Sequence, residues 1–114
     1  MTERVELSYL YDFYGELLKE HQKNIFEDYI LNDLSLSEIA EEQGISRQGV
    51  FDLLKRCSRQ LKNYESSLHL VEKFRSTREK AERIRSLAEQ IRIERDAALL
   101  EEIISAADDI LEEL

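Results

Sequence analysis

The sequence predicts an all-α protein, and three observations lead to that prediction. It contains no proline, and its only glycines are Gly15, Gly44 and Gly49, so 65 residues follow Gly49 without a strong helix breaker. Apolar residues recur every three to four positions, the period of an amphipathic helix. Serines that can cap helices precede two of the apolar segments. We therefore expect a helix-turn-helix domain followed by long C-terminal helices.

Two amphipathic helices are predicted in the first part of the chain. The second ends near Asn32, and Gly15 lies inside the first. The apolar positions that define the first helix are Leu7, Leu10, Phe13, Tyr14, Leu17 and Leu18. Those that define the second are Ile25, Phe26, Tyr29 and Ile30.

The next two helices are predicted to form a helix-turn-helix pair. Ser35 and Glu38 have the spacing of a capping box, and Gly44 suits a left-handed turn at the end of the third helix. Ser46 caps the fourth helix. The pair also needs a small residue at the helix crossing and a buried apolar stripe on the second helix. Ala40 supplies the small residue, and the stripe is expected at Ile45, Val50 and Leu53.

The C-terminal half is predicted to be a long helical extension. A heptad-like apolar stripe continues from Val50 through Cys57 to Val71, and Ser76 with Glu79 has the spacing of a second capping box, which predicts a new helix there. One rod over residues 46–114 would be about 100 Å long and could not bury its own apolar face. We therefore expect a domain at 1–64 and an extension at 65–114 that packs back or dimerises. The predicted homodimer interface is Leu61, Tyr64, Leu68 and Val71.

Charge is distributed in three blocks along the chain. The formal net charge is −9. Residues 46–85 carry eleven basic and five acidic residues, whereas residues 1–45 have a net charge of −8 and residues 86–114 one of −7. The basic block begins with the fourth helix, so a local positive segment lies within an acidic protein.

The exposed face of the fourth helix is the candidate nucleic-acid interface. On a helical wheel an arc of about 120° contains Arg47, Gln48, Lys55, Arg59 and Lys62. Lys and Arg in this arc could contact phosphates, while Arg47 and Gln48 reach base edges. Phe51 could stack on a base or anchor a protein contact. Asp52, Glu41 and Glu42 oppose phosphate binding, and a merely solvated basic face is the alternative interpretation. The candidate residues are Arg47, Gln48, Phe51, Lys55, Arg56, Arg59 and Lys62.

Catalytic and metal sites are not predicted. His21, His69 and Cys57 lack the close paired spacing of a metal site, and we find neither a phosphate-binding glycine loop nor a Ser/His/Asp set, so we expect no enzyme and no cofactor. Cys57 is expected to be a buried small hydrophobe. A single cysteine agrees with a reducing compartment, and no apolar run approaches the ~20 residues of a membrane span. The expected location is the cytoplasm, without membrane insertion.

Three segments of the chain carry a resemblance to a known family. "YDFYGELL", "DYILNDLSLSEIAEEQGISRQGVFDLLKR" and "LKNYESSLHL", in that order, closely resemble the bacterial YlxM family over roughly residues 7 to 75. The middle segment also resembles region 4 of sigma factors. The resemblance implies an all-helical, dimeric protein with a regulatory part in the signal recognition particle pathway.

Three functions follow as hypotheses. The first is a non-enzymatic regulator that binds the RNA or the GTPase of the signal recognition particle. The second is a DNA-binding transcriptional regulator, and the third is a dimeric scaffold that uses the fold for protein contacts.

Overall fold

The structure is a computed structural model that describes residues 2–96 and 98–114. Within these residues the chain is all-α, as predicted, and no strand is present. A short 3-10 helix covers Gly15–Leu17. The α-helices are α1 (Glu3–Tyr14), α2 (Glu20–Ile30), α3 (Leu36–Gln43), α4 (Arg47–Leu68), α5 (Leu70–Glu94) and α6 (Ala98–Glu113).

The chain divides into two compact units, of which the first extends to Val71 and the second covers Glu72–Leu114. In the first unit α4 packs against α1, α2 and α3, so it is the central helix of the core. Cys57 on α4 is fully buried, which confirms its predicted role, and burial raises the pKa of its thiol. The side chains that are almost fully buried are Leu10, Tyr14, Ile25, Phe26, Ile39, Val50, Cys57 and Leu61.

The first helix ends earlier than predicted. Helix α1 stops at Tyr14, and the predicted continuation to Leu18 is wrong. A Cβ atom on Gly15 would lie 2.7 Å from Cε1 of Tyr11, so only glycine lets the backbone approach that ring. The Tyr11 ring stacks on Phe26 with centroids 5.3 Å apart, and its hydroxyl donates to Glu27. These contacts hold α1 against α2.

The junction between α4 and α5 also differs from the prediction. His69, in the left-handed conformation, ends α4, so the apolar stripe does not continue on one helix to Val71. Helix α5 begins at Leu70, so Ser76 lies inside it and the predicted capping box there is wrong. The first amides of α5 have other acceptors: Leu70 N–H donates to the Tyr14 hydroxyl (3.1 Å), and Val71 N–H donates to Glu65 Oε1 (3.0 Å). Tertiary contacts therefore cap α5.

The Tyr14 hydroxyl completes this junction. It donates to Glu65 Oε1 at 2.5 Å while it accepts from Leu70. Burial and the Glu65 carboxylate both raise the pKa of Tyr14, because a phenolate here would be desolvated and would face a negative charge. The hydroxyl therefore stays protonated and joins α1, α4 and α5.

The second unit consists of the remainder of α5 and of α6. Ion pairs join Arg83 to Glu102 (3.3 Å) and Lys80 to Glu113, so the two helices run antiparallel. Lys80 lowers the pKa of the Glu113 carboxyl. The Asp96 side chain accepts from Ala98 N–H (2.9 Å) at the start of α6. Among the described residues no helix is long and apolar enough to cross a membrane.

Replacing Tyr14 with Phe tests the junction. The variant keeps the ring but leaves the Leu70 amide without its acceptor, so we expect the free energy of unfolding to fall by about 1–3 kcal/mol in urea denaturation. Tyr29→Phe is the matched control, because within the described part of the chain the Tyr29 hydroxyl makes no hydrogen bond. Its expected change is below about 0.5 kcal/mol. Equal losses in the two variants would show that the Tyr14 hydroxyl does not stabilise the fold.

Candidate nucleic-acid interface

Helices α3 and α4 form the predicted helix-turn-helix. The Ser35 side chain accepts from Glu38 N–H and the Glu38 carboxylate accepts from Ser35 N–H, both at 3.1 Å, so the predicted capping box is confirmed. Gly44 ends α3 in the left-handed conformation, with φ of 68°. Its N–H and that of Ile45 both donate to the carbonyl of Ala40. These bonds turn the chain sharply into α4.

The turn leads directly to the cap of α4. Ser46 Oγ accepts from Gly49 N–H at 2.9 Å, as predicted. Val50 and Leu53 are buried and hold α4 against the core. Ile45 was predicted to be buried with them, but it is 39% exposed because it lies in the turn before the helix. The buried stripe therefore begins at Val50, and Leu54, Cys57 and Leu61 continue it.

The side of α4 next to the buried stripe forms one wall of a groove. All seven candidate residues are exposed, including Phe51, which is 48% exposed. Four of them line the groove, which has a volume of about 650 Å³. We call it the basic-rimmed groove, and its lining residues are Glu3, Leu7, Tyr29, Leu36, Phe51, Leu54, Lys55, Ser58, Arg59, Lys62 and Asn63. Three other helices therefore contribute to a site that the sequence assigned to α4 alone.

The rim of the groove is charged and its floor is largely apolar. Lys62 Nζ lies 2.7 Å from Glu3 Oε1, so this pair connects α4 to α1 and partly neutralises one end of the groove. Arg4 lies over the Tyr29 ring, 4.8 Å from its centroid, and pairs with Asp33 at 2.8 Å. Lys55 and Arg59 are the rim cations for which the structure shows no such carboxylate contact within the described residues.

A shallow depression lies beside the groove on the same helix. It is lined by Asp52, Lys55, Arg56 and Arg59, so the structure brings three candidate cations together around one carboxylate. Asp52 Oδ1 also accepts from Gln48 Nε2 at 3.1 Å. This bond uses one of the two amide hydrogens of Gln48, so the second hydrogen and Oε1 are still available for a base edge.

Arg47 and Gln48 line neither the groove nor the depression. They lie at the start of α4, whereas the cluster of three cations lies about two to three turns further along the helix. The candidate residues thus form two separate groups. The groove walls on α1, α2 and α3 had no signal in the sequence, because the residues at these positions are ordinary members of amphipathic helices.

The four residues predicted for a dimer interface have different environments. Leu61 and Val71 are buried in the core of the first unit, whereas Leu68 is 48% exposed. Tyr64 is half-buried, and its ring packs on Tyr14 with centroids 5.9 Å apart. A self-association surface at these positions stays a prediction, and Leu68 is the member that offers a largely exposed side chain.

Metal ligation has no support in the described residues, since no group of three or more His, Cys, Asp or Glu side chains could hold an ion there.

The turn at Gly44 and the buried stripe of α4 define a helix-turn-helix protein. Helix α3 is the first helix of the motif, and α4 is the second, the position that the recognition helix has in DNA-binding members. Residues 1–103 match the family described as "UPF0122: Putative helix-turn-helix protein, YlxM / p13 like". The chain belongs to this family, which confirms the resemblance found in the sequence.

Similar relatives come from several bacteria. A UPF0122 protein of Clostridium kluyveri is 42% identical over 103 residues, which are 90% of this chain and 93% of the relative. A UPF0122 protein of Thermoanaerobacter sp. (strain X514) is 46% identical over 107 residues, or 93% and 92% of the two chains. UPF0122 protein YlxM of Bacillus subtilis (strain 168) is 37% identical over 108 residues, or 95% and 98%. The likeness therefore extends over almost the whole chain.

Substitution of Gly44 tests the turn. A Cβ atom there would have no heavy atom within 4 Å, so Gly44→Ala should cost only the left-handed backbone conformation. We expect a loss of about 1–2 kcal/mol in the free energy of unfolding, measured in urea. Gly44→Asn should lose less, because asparagine adopts this conformation more readily. If the two variants lost equal stability, the left-handed conformation would not be the cause.

Proposed function

We propose that this protein is a non-enzymatic, nucleic-acid-binding regulator of the bacterial cytoplasm, and that its target is the RNA of the signal recognition particle. The observation that carries the binding proposal is the exposed cluster of Lys55, Arg56 and Arg59 on the recognition helix. Membership of a helix-turn-helix family supports the same class of function. The particle as target rests on the YlxM resemblance.

Charge distribution supports a selective contact with a polyanion. The basic block over residues 46–85 has a net charge of +6, and the flanking blocks are acidic. The basic residues attract phosphates, whereas the acidic blocks repel other nucleic acid that approaches them. The GTPase of the particle is the protein alternative for the same pathway.

The geometry of α4 favours structured RNA over base-pair reading. The clustered cations lie beside a concave groove with Phe51 and Tyr29 in its wall, and aromatic side chains stack on unpaired bases of loops and bulges. An A-form helix hides its major-groove base edges, so phosphates and loops are what this face could contact.

A sequence-specific DNA-binding regulator is the second candidate. The observation that favours it is the exposed position of Arg47 and Gln48 at the start of the recognition helix, where this fold places its base contacts. The scaffold hypothesis is the third, and the apolar floor beside Phe51 supports it.

Salt dependence tests the phosphate contacts. We expect three phosphate contacts to the particle RNA, made by Lys55, Arg56 and Arg59. The slope of log affinity against log salt concentration should then be roughly −2 to −3. Lys55→Ala/Arg59→Ala should reduce that slope by about two thirds, since two contacts are lost. The matched control is Lys73→Ala/Arg85→Ala, which removes two exposed basic residues from α5 and should leave the slope unchanged. Equal slopes for all three proteins would exclude the α4 cluster as the phosphate site.

The ranking of variants separates RNA from DNA recognition. Affinities of the wild type, Lys55→Ala/Arg59→Ala and Gln48→Ala are measured at one salt concentration on three probes: the particle RNA, the RNA assembled with its GTPase, and random duplex DNA. We expect the wild type to bind the particle RNA more tightly than random duplex DNA. On the particle RNA, Lys55→Ala/Arg59→Ala should lose more affinity than Gln48→Ala. A DNA reader would instead lose ~1–3 kcal/mol of sequence discrimination with Gln48→Ala. Equal affinity for all probes would refute the particle as target.

A further inference from the structure

We infer that the basic-rimmed groove is a docking site for helix α6 of a second copy of this chain. The groove has a largely apolar floor that includes Leu7, Leu36 and Leu54, and its exposed edge carries Phe51. Apolar grooves of this kind bind amphipathic helices through side chains spaced three and four residues apart. The occupant must therefore present an apolar stripe and, because the rim is basic, acidic flanks.

Helix α6 has such a stripe. In α6, Leu100, Ile104 and Leu111 are between 48% and 67% exposed, and with the half-buried Ala107 they recur at spacings of four, three and four. Leu114, which follows the end of the helix and is 88% exposed, continues the spacing. We call these five residues the α6 stripe. The other apolar positions of the helix, Leu99, Ile103, Ala106 and Ile110, are half-buried or buried and lie on a different face. Helix α6 thus has one apolar face within the fold and a second one in solvent.

The charges of the two surfaces are complementary. On a helical wheel Glu101, Asp108 and Glu112 lie along one side of the α6 stripe. The groove rim offers Lys55 and Arg59, whereas its one carboxylate, on Glu3, is already paired with Lys62. Docking would place the acidic edge of α6 against the two rim cations, where opposite potentials favour association.

The groove is long enough for a docked helix. It follows α4 from Phe51 to Asn63, or about 18 Å at 1.5 Å per residue. The part of α6 from Leu100 to Leu111 spans about 16 Å at the same rise. In a reciprocal pair each copy gives one α6 and receives one, so a single twofold axis generates both contacts. A nucleic acid and α6 of a second copy would both contact Lys55 and Arg59. Self-association can nevertheless be tested separately, because it is measured in the absence of nucleic acid.

Reversal of charge on each surface tests the inference. One variant of the full chain carries Lys55→Glu/Arg59→Glu in the groove, and the other carries Glu101→Lys/Asp108→Lys on α6. Analytical ultracentrifugation at high micromolar concentration should show a dimer for the wild type and a monomer for each variant alone. An equimolar mixture should recover a 1:1 heterodimer, because the acidic groove then meets the basic α6 and the unchanged surfaces also match.

Lys73→Glu/Arg85→Glu is the matched control, since it makes the same change in net charge on α5 and should remain dimeric. Circular dichroism shows whether each variant keeps its helical content, and Leu100→Ser/Leu111→Ser provides an uncharged test that should also give monomers. A monomeric wild type, or variants that stay dimeric, would overturn the inference. So would a mixture of folded variants that fails to associate, which is the result expected if α6 docks only within its own chain.

Discussion

The hydrogen bonds of the Tyr14 hydroxyl connect the N-terminal helix, the end of the recognition helix and the start of α5. Its ring is almost fully buried, and its oxygen both donates to Glu65 and accepts from the Leu70 amide. Such a group stabilises the fold only while it stays protonated and both contacts remain, because an unsatisfied buried polar group is costly. Glu65, in the last turn of α4, also accepts from the Val71 amide at the start of α5. Val71 is the last residue of the first unit.

The fixed position of α4 has a direct consequence for the candidate site. One side of α4 is buried against α1, α2 and α3, and the adjacent side forms the wall of a groove with residues of these helices. The same helix thus supplies the core with Val50, Cys57 and Leu61 and the surface with Lys55 and Arg59. A change in the core would alter the site through the position of α4, and at Leu7 and Leu54 also directly, since these two core residues line the groove.

The groove combines a basic rim with an apolar floor. Cations on α4 suit phosphates, whereas the apolar floor suits a side chain or an unstacked base. Under the two proposals, α6 of a second copy and a nucleic acid would both be polyanionic ligands for the same cations. Competition between them would couple self-association to nucleic-acid binding at one surface, by ordinary linkage.

Local signals in the sequence were sufficient for the helix-turn-helix. The Ser35–Glu38 box, the left-handed Gly44 and the Ser46 cap each depend on residues within a few positions, so their geometry follows from backbone chemistry. The exposed basic face of α4 was predictable for the same reason, since helical periodicity alone orders the side chains around the axis. Family membership likewise followed from short segments in a fixed order.

Contacts between residues far apart in the sequence determined the end of α1, the start of α5 and the basic-rimmed groove. The end of α1 depends on how Gly15 meets the Tyr11 ring, and the start of α5 on acceptors that include Tyr14, 56 residues before Leu70. The sequence placed a cap at Ser76 because it has the right spacing, but spacing cannot show that an earlier amide already has a partner from another helix. The basic-rimmed groove likewise needs Glu3 beside Lys62, 59 residues away, and only packing of the helices brings them together.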